Sequence, residues 1–201
     1  MKVDIQDVLF WMDAIRNSED RYRTLESFWK GQVNSKVWLA KNLIGFVPVR
    51  PLNIVIYGGW NGVLASILFN SNIAIQRITS VDIDPVCEDI ANTVNRRYLD
   101  QSKFTAITAD MTTVIDESAD VVINTSCEHI TQEQYDKWLN NQPNNATIVL
   151  QSNNYFNLDE HIRCSTDLED FVRMSNINPY LRKTLETLKY DRYMLIGKKN
   201  V

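Results

Sequence analysis

The sequence predicts an α/β fold, in which a mixed, mostly parallel sheet has helices on both faces, a helical N-terminal cap and a C-terminal antiparallel hairpin. Three observations predict it. Apolar strand patterns alternate with helix patterns over residues 53–151, as is typical of parallel strands joined by right-handed crossovers. Before this region, apolar residues recur at helical spacing. After it, two apolar runs flank the tetrapeptide KYDR, which suggests a tight turn between paired strands.

Helical spacing over residues 1 to about 45 ends at the sequence FVPVRP. Each proline there lacks an N–H and restricts the residue before it, so a helix cannot continue through this segment. We therefore predict a helical cap over residues 1–50 and a sheet-containing domain over residues 51–201.

The elements of the second region follow from local patterns of apolar, capping and turn-forming residues. Strands are predicted over residues 53–57, 77–83, 104–108, 120–125 and 146–151, and in a hairpin joining 185–188 to 193–196. Helices are predicted over residues 62–69, 84–98 and 131–138, and after a capping-box pattern at 166–169. Asp84 followed by Pro85 is a favourable helix start, because aspartate caps the free N–H groups and proline fits the first turn. The sequence INPY, residues 177–180, is predicted to form a turn.

Length, charge and cysteine content limit the kind of protein. With 201 residues and a formal net charge of -4, the chain suits a single domain and lacks the basic excess of a general nucleic-acid coat. Residues 1–10 do not resemble a secretory signal, and no run approaches the ~20 apolar residues of a membrane span. Three widely spaced cysteines suit reduced thiols. We expect a cytoplasmic protein without membrane partners.

Candidate ligand-binding residues lie where the predicted strands end, because open parallel sheets bind ligands outside the carboxyl ends of their strands. The first such loop reads GGWNG, residues 58–62, and its glycines permit close backbone approach and positive φ, although a plain strand-to-helix turn has the same pattern. Asp82 ends the next strand at a spacing suited to accepting hydrogen bonds from ribose hydroxyls. Further loops begin at Asp110 and Thr125, and near Ser152.

The segments VIYGGWNG, ITSVDIDP, ITADMT and ADVVINTSCEHI, in this order, resemble the motif series of class I S-adenosylmethionine-dependent methyltransferases. The resemblance covers about residues 52–151 and implies a Rossmann-like methyltransferase domain over residues 51–201 with S-adenosylmethionine as cofactor. It implies that the glycine loop adjoins the methionine part, Asp82 the ribose, and Asp110 with Met111 the adenine. The cofactor-binding residues implied are Gly58, Gly59, Trp60, Asn61, Gly62, Asp82, Ile83, Asp110, Met111 and Asn124. The segment FWKGQVNSKVWL also resembles small methyltransferase-like proteins of tailed phages.

Two departures from the family pattern bear on cofactor binding. The family carries an acidic residue two places before the first glycine, where this chain has Ile56, and Trp60 replaces the middle glycine. The missing acid removes an expected acceptor for the cofactor's amino group. Either another residue such as Asn61 or Asn124 substitutes for it, or cofactor affinity is reduced or lost. The Trp60 indole must either pack against the N-terminal cap or cover the methionine end of the cofactor.

The sequence favours a small molecule or a polypeptide side chain as methyl acceptor. Family members that methylate amino groups of DNA bases carry Asn/Asp-Pro-Pro-aromatic after the fourth strand, but residues 124–127 read NTSC. A Pro-Cys nucleophile for cytosine is also missing from the sequence. Nucleic-acid methylation is therefore disfavoured, and the oligomeric state is left open.

Both histidines of the chain lie in Glu-His-Ile tripeptides, at residues 128–130 and 160–162. A histidine of near-neutral pKa can take a proton from the attacking nucleophile, so His129 is the candidate base, with Glu128 as its catalytic partner. Candidate substrate-binding residues are Trp29, Lys36, Tyr155 and His161. A zinc site of Cys127, His129, His161 and Cys164 is chemically adequate, but this spacing matches no compact zinc module, so no metal is predicted.

Two further readings stay open at this stage. The chain could reuse a methyltransferase fold without activity, as an interaction or phage structural protein, and the departures at Ile56 and Trp60 favour that reading. A nicotinamide-dependent dehydrogenase is weakened by the glycine spacing and by the terminal hairpin.

Overall fold

The computed structural model describes residues 2–200 and contains one seven-stranded sheet in the order β3-β2-β1-β4-β5-β7-β6. The strands are β1 Leu52–Tyr57, β2 Ile75–Asp82, β3 Phe104–Thr108, β4 Val121–Asn124, β5 Thr147–Asn153, β6 Ile177–Glu186 and β7 Asp191–Lys199. Strands β1 to β5 pair in parallel, and β7 lies antiparallel between β5 and β6. The predicted fold class is confirmed.

Eight helices surround this sheet in the described residues. They are α1 Ile5–Asn17, α2 Arg21–Glu26, α3 Lys30–Leu43, α4 Val63–Phe69, α5 Pro85–Val94, α6 Arg96–Leu99, α7 Gln132–Asn140 and α8 Leu168–Ser175. Single 3₁₀ turns cover Ile44–Phe46 and Cys127–His129. Within residues 2–200, every helix is too short or too polar to cross a bilayer.

Side-chain alternation along β1 divides the core into two layers. Ile54 and Ile56 pack with α3, α4 and α5, whereas Val55 and Tyr57 pack with α7 and α8. Successive side chains of a strand point to opposite faces, and both faces of this strand are buried. Helices α3 to α5 therefore share one core with one face of the sheet.

Local capping fixes several helix starts at their predicted positions. Asp84 accepts a hydrogen bond from the Val86 amide at 3.0 Å ahead of α5, and Thr131 with Gln134 forms the predicted capping box of α7. The helix predicted over residues 84–98 is interrupted at Asn95, which separates α5 from α6. The capping box predicted at 166–169 is wrong by one residue, because Asp167 caps α8 by accepting from the Asp170 amide.

The C-terminal hairpin is longer than predicted. The turn predicted at INPY, residues 177–180, is wrong, because β6 begins at Ile177 and ends at Glu186. Pro179 is tolerated there since β6 is an edge strand, which pairs only with β7 and does not require every N–H for its ladder. The pairing shifts register between Pro179 and Leu181, which is the local signature of this proline.

Helix α1 is attached to α4 and α6 by polar side-chain contacts. The buried Asp7 accepts hydrogen bonds from Asn70 Nδ2 at 2.6 Å and from the Tyr98 hydroxyl at 2.9 Å. Trp11 Nε1 donates to Ser66 Oγ at 3.0 Å. These contacts hold α1 against α4 and α6.

Substituting Asp7→Ala should lower the free energy of unfolding by about 1–3 kcal/mol, because the Tyr98 hydroxyl and the Asn70 amide lose their buried acceptor. The matched control is Asp13→Ala on the same helix, where the side chain is exposed and the change should stay within about 0.5 kcal/mol. Urea denaturation of both variants measures the difference. Equal effects would show that Asp7 does not anchor the helix.

Candidate functional site

A cleft of about 1590 Å³ lies at the carboxyl ends of the parallel strands. Its floor is formed by the turns that follow β1, β2, β3 and β4, and its walls include residues of α2 and α3 and the turn between β6 and β7. This is the location that the parallel-sheet rule predicts for a ligand.

The glycine loop after β1 is compressed between neighbouring elements. Gly58 has φ of +64° and lies so close to Ser126 that a Cβ would collide with its side chain. Gly62 has φ of +71°, and a Cβ there would collide with Asn95 and Ala91. The glycines are therefore required both by left-handed backbone and by close approach to the β4 turn and to α5.

The Asp82 carboxylate joins two loops of the cleft floor. Its Oδ2 accepts from the Trp60 amide at 2.7 Å, and its Oδ1 accepts from the Asp84 amide at 3.1 Å. Trp60 itself has φ of +48°, a left-handed conformation that is costly for a residue with a Cβ. Asp82 thus holds a strained tryptophan at the position where the resemblance expects glycine.

Lys36 is a buried cation in the cleft wall. Its Nζ donates to Gln32 Oε1 at 2.9 Å and lies 6.0 Å from the centroid of the Trp60 ring. Burial and, to a smaller extent, the charge of Arg192 lower the Lys36 pKa to about 7. The Trp60 indole therefore lines the cleft and faces Lys36 of α3.

The residues expected near the ribose and adenine differ in their access to the cleft. Asp82, Ile83, Asp110 and Met111 line it, and Ile83 is largely exposed. Three residues expected to contact the cofactor lie behind the lining instead, namely Asn61, Gly62 and Asn124.

The buried Asn124 side chain makes contacts to nearby residues. Its Oδ1 accepts from the Ser126 amide at 2.9 Å, and its Nδ2 lies 3.6 Å from Met111 Sδ. Ile56 is buried in the core, so no side chain at that position faces the cleft. Asn61 and Asn124, the expected substitutes for the missing acid, both lie buried behind the cleft lining.

The two Glu-His-Ile segments meet at one side of the cleft. The His129 and His161 rings form an edge-to-face pair with centroids 4.7 Å apart, and Tyr155 lies beside His161. His161 Nδ1 lies 2.7 Å from the Tyr155 carbonyl oxygen, so this nitrogen carries the proton and donates. His129 is exposed. Trp29, which is 70% exposed, also lines the cleft.

Glu128 is buried beneath these rings. Its Oε1 accepts from Asn153 Nδ2 at 2.6 Å and lies 3.7 Å from Arg192 Nη1. Its Oε2 is buried and has no hydrogen-bond partner among residues 2–200. One carboxylate oxygen is thus held in place while the other is unpaired.

Cys164 Sγ lies 3.7 Å from His161 Nδ1, but in the described residues the four members of the zinc set do not come together as one group. Cys127 is buried with its Sγ 3.6 Å from the Asn124 carbonyl oxygen, and burial raises its pKa to about 12. Burial also raises the Cys164 pKa to about 11, so neither thiol is a ready nucleophile at neutral pH. Within residues 2–200, the group able to hold a metal is Glu128, His129 and His161, with one potential ligand atom of each within 4.8 Å of the others.

Among the polar cleft residues that sequence reasoning missed are Gln151, Asn153 and Arg192. Asn153 ends the apolar strand β5, so the strand-end rule could have identified it. Arg192 belongs to the KYDR segment that the sequence predicts as a turn, but it lies in β7 paired with Asn153, and no local pattern marks that pairing. Gln151 accepts from Ser35 Oγ at 3.3 Å, which links α3 to the sheet edge.

Comparisons with known proteins show similarity of structure only. The chain matches no protein-family model and no curated protein sequence. Its structure is similar to magnesium protoporphyrin IX methyltransferase (ChlM) from Synechocystis PCC 6803 with bound SAM, at a TM-score of 0.68 and 13% identity. The alignment covers 96% of this chain and 91% of that chain.

Two further solved structures share the architecture. Geranyl diphosphate methyltransferase in complex with GPP and sinefungin matches at a TM-score of 0.65 and 10% identity, covering 84% of this chain and 79% of that chain. The mitomycin 7-O-methyltransferase MmcR matches at 0.64 and 11% identity, covering 94% and 60% respectively. At such identities the likeness is one of fold.

The buried Lys36 should make stability rise with pH. Its folded pKa of about 7 lies below the ordinary value of 10.5, so between these values the unfolded chain binds a proton that the folded chain does not. The free energy of unfolding therefore increases over this window. Lys36→Met lacks this contribution, so its stability relative to the unsubstituted protein should be greatest near pH 6 and should decline towards pH 10. Parallel denaturation curves would contradict a depressed Lys36 pKa.

The positive φ of Trp60 predicts a difference in stability between two substitutions at this position. Trp60→Gly and Trp60→Ala remove the same indole, but only alanine keeps a Cβ in left-handed backbone. The glycine variant should therefore be more stable than the alanine variant by roughly 1 kcal/mol in denaturant unfolding. Equal stability would indicate that the loop relaxes out of this conformation.

Proposed function

We propose that this chain, which has the fold of class I S-adenosylmethionine-dependent methyltransferases, binds S-adenosylmethionine in its cleft and transfers the methyl group to a small molecule or a polypeptide side chain. The observation that carries the proposal is the Asp82 carboxylate, which ends β2 in the cleft and holds the amide of the glycine loop at 2.7 Å. This joins the two elements that would contact the ribose and the methionine part.

The residues lining the cleft fit the chemistry of this cofactor. Asp82 would hold the ribose hydroxyls, since each carboxylate oxygen can accept more than the one amide bond that it already has. Ile83 and Met111 offer apolar surface beside the adenine. Lys36, buried beside Trp60, would pair with the cofactor's carboxylate. When bound, the cofactor supplies a methyl group already activated by its sulfonium.

The protein itself would have to align the two reactants and remove one proton from the acceptor. Most of the rate enhancement would come from holding acceptor and methyl group in line, since the donor is already activated. His129 is exposed to the cleft and is free to accept the proton that the nucleophile loses. The buried Glu128 would stabilise the resulting charge, and His161 and Tyr155 would contact the acceptor. We place Trp29 at the outer edge of the acceptor region, because it is exposed there.

The structure supports a small molecule or a polypeptide side chain, rather than a nucleic-acid base, as the methyl acceptor. The raised pKa of Cys127 argues against a thiolate nucleophile of the kind that cytosine methylation requires. N-terminal residues of α2 and α3 wall the cleft on one side, and its volume of about 1590 Å³ leaves room for an acceptor beside the cofactor.

Calorimetric titration with S-adenosylmethionine tests the proposal directly. The unsubstituted protein should bind one equivalent, and Lys36→Met should bind roughly 10- to 150-fold more weakly, because a charge-assisted hydrogen bond contributes about 1.5–3 kcal/mol. The matched control is Lys103→Met, an exposed lysine that should leave the affinity unchanged.

The affinity should also fall as the pH rises through about 7, because Lys36 then loses its proton. No binding at millimolar cofactor would overturn the proposal. It would favour the non-enzymatic reading, for which the buried Ile56 in place of the family's acid is the specific observation.

A further inference from the structure

The geometry points to a metal site that the sequence did not predict: we propose that Glu128, His129 and His161 bind one divalent transition-metal ion in the cleft wall. One potential ligand atom from each residue lies within 4.8 Å of the others. Two imidazoles and a carboxylate are the donor set of catalytic zinc and of related divalent ions, and three protein ligands leave coordination positions open.

An unpaired carboxylate oxygen of Glu128 is a second, independent observation that points to a bound cation. The side chain is buried and lines the cleft, yet Oε2 lacks a hydrogen-bond partner among residues 2–200. A buried, unpaired carboxylate oxygen is costly, and a bound cation would satisfy it. Arg192 does not meet this need, because it approaches the other oxygen, at 3.7 Å.

Two of the three ligands are already oriented as metal ligands usually are. The Glu128 carboxylate is fixed by the Asn153 amide on Oε1, which leaves Oε2 available. His161 donates from Nδ1 to the Tyr155 carbonyl oxygen at 2.7 Å, which leaves Nε2 unprotonated and able to ligate. Such supporting bonds set the tautomer and direction of ligating groups.

The protein also ties the two ligand segments together. The Arg163 amide donates to the Glu128 carbonyl oxygen at 3.0 Å, so the chain carrying His161 is held against the 3₁₀ turn at Cys127–His129. Bonds of about 2.1 Å in a tetrahedral site place ligand atoms about 3.4 Å apart. The three ligand atoms lie within 4.8 Å of one another, so binding the ion requires small movements of more than one of these side chains.

The ion would face the region proposed for the methyl acceptor. A hydroxyl oxygen of the acceptor could occupy an open position, where coordination would lower its pKa and its proton would pass to solvent. With the ion bound, this activation would replace proton transfer to His129, which then serves as a ligand. The site thus selects acceptors with an oxygen ligand. It does not depend on cofactor binding, so metal binding and S-adenosylmethionine binding can succeed or fail separately.

Titration of chelator-treated protein with Zn²⁺ and Co²⁺, without cofactor, tests the proposal. The chain contains two histidines, so every imidazole proton signal in its NMR spectrum reports on this cluster. We expect one equivalent of Co²⁺ to broaden both sets of signals and to give a visible absorption band. Zn²⁺ should displace the Co²⁺ and should bind with a 1:1 stoichiometry in calorimetry.

Variants separate this donor set from other sources of metal affinity. His129→Ala and His161→Ala should each weaken Zn²⁺ binding roughly tenfold or more. Glu128→Gln should do the same, and the exposed His129 variant keeps the test valid if the buried substitution prevents folding. Asp110→Asn, a cleft carboxylate outside the cluster, should leave the affinity unchanged. The proposal is overturned if the unsubstituted protein does not saturate, if His129→Ala binds Zn²⁺ as tightly as the unsubstituted protein, or if Cys164→Ser weakens binding as much as the histidine variants do.

Discussion

Burial of β1 on both faces is the constraint from which the rest of the site follows. Its side chains alternate between two helix layers, and it pairs with β2 on one edge and β4 on the other. The chain after β1 leads to α4 on one face, while the chain after β4 leads to α7 on the opposite face. A crevice must open where these connections diverge, at the carboxyl ends of the two strands.

The loop after β1 is packed so closely against its neighbours that only glycine fits at two of its positions. Gly58 lies against Ser126, and Gly62 lies against Asn95 and Ala91, so glycine is required sterically even without a ligand. Trp60 keeps a left-handed backbone in the middle of the loop and is held there by Asp82. Strained backbone of this kind persists where surrounding contacts over-determine it, and it is frequent at ligand-binding positions.

The cleft also concentrates buried charge that does not help the fold. Lys36, Glu128 and Arg192 are all buried, and they are only partly paired with one another. Buried charges are rarely stabilising, since their desolvation offsets the attraction between them. Their presence at one site is better explained by ligands of opposite charge, namely a carboxylate beside Lys36 and a cation beside Glu128. A cofactor and a metal would thus be complementary to separate parts of one cleft.

The sequence by itself determined the strands β1 to β5, the cap at Asp84, the capping box at Thr131 and the positions of the loops, because each depends on neighbouring residues. It also indicated Asp82 and the glycine loop. Only the tertiary structure decided that Asn124 is buried behind the lining, that Pro179 lies in an edge strand, and that Arg192 reaches the cleft. The sequence also allowed both histidines to face one cleft, because both follow predicted strands at the same sheet edge. Only the tertiary structure decided that His161 meets Glu128 and His129, through a backbone hydrogen bond between segments distant in the chain. Local patterns encode which residues form an element, whereas contacts across the sheet depend on how all the elements pack together.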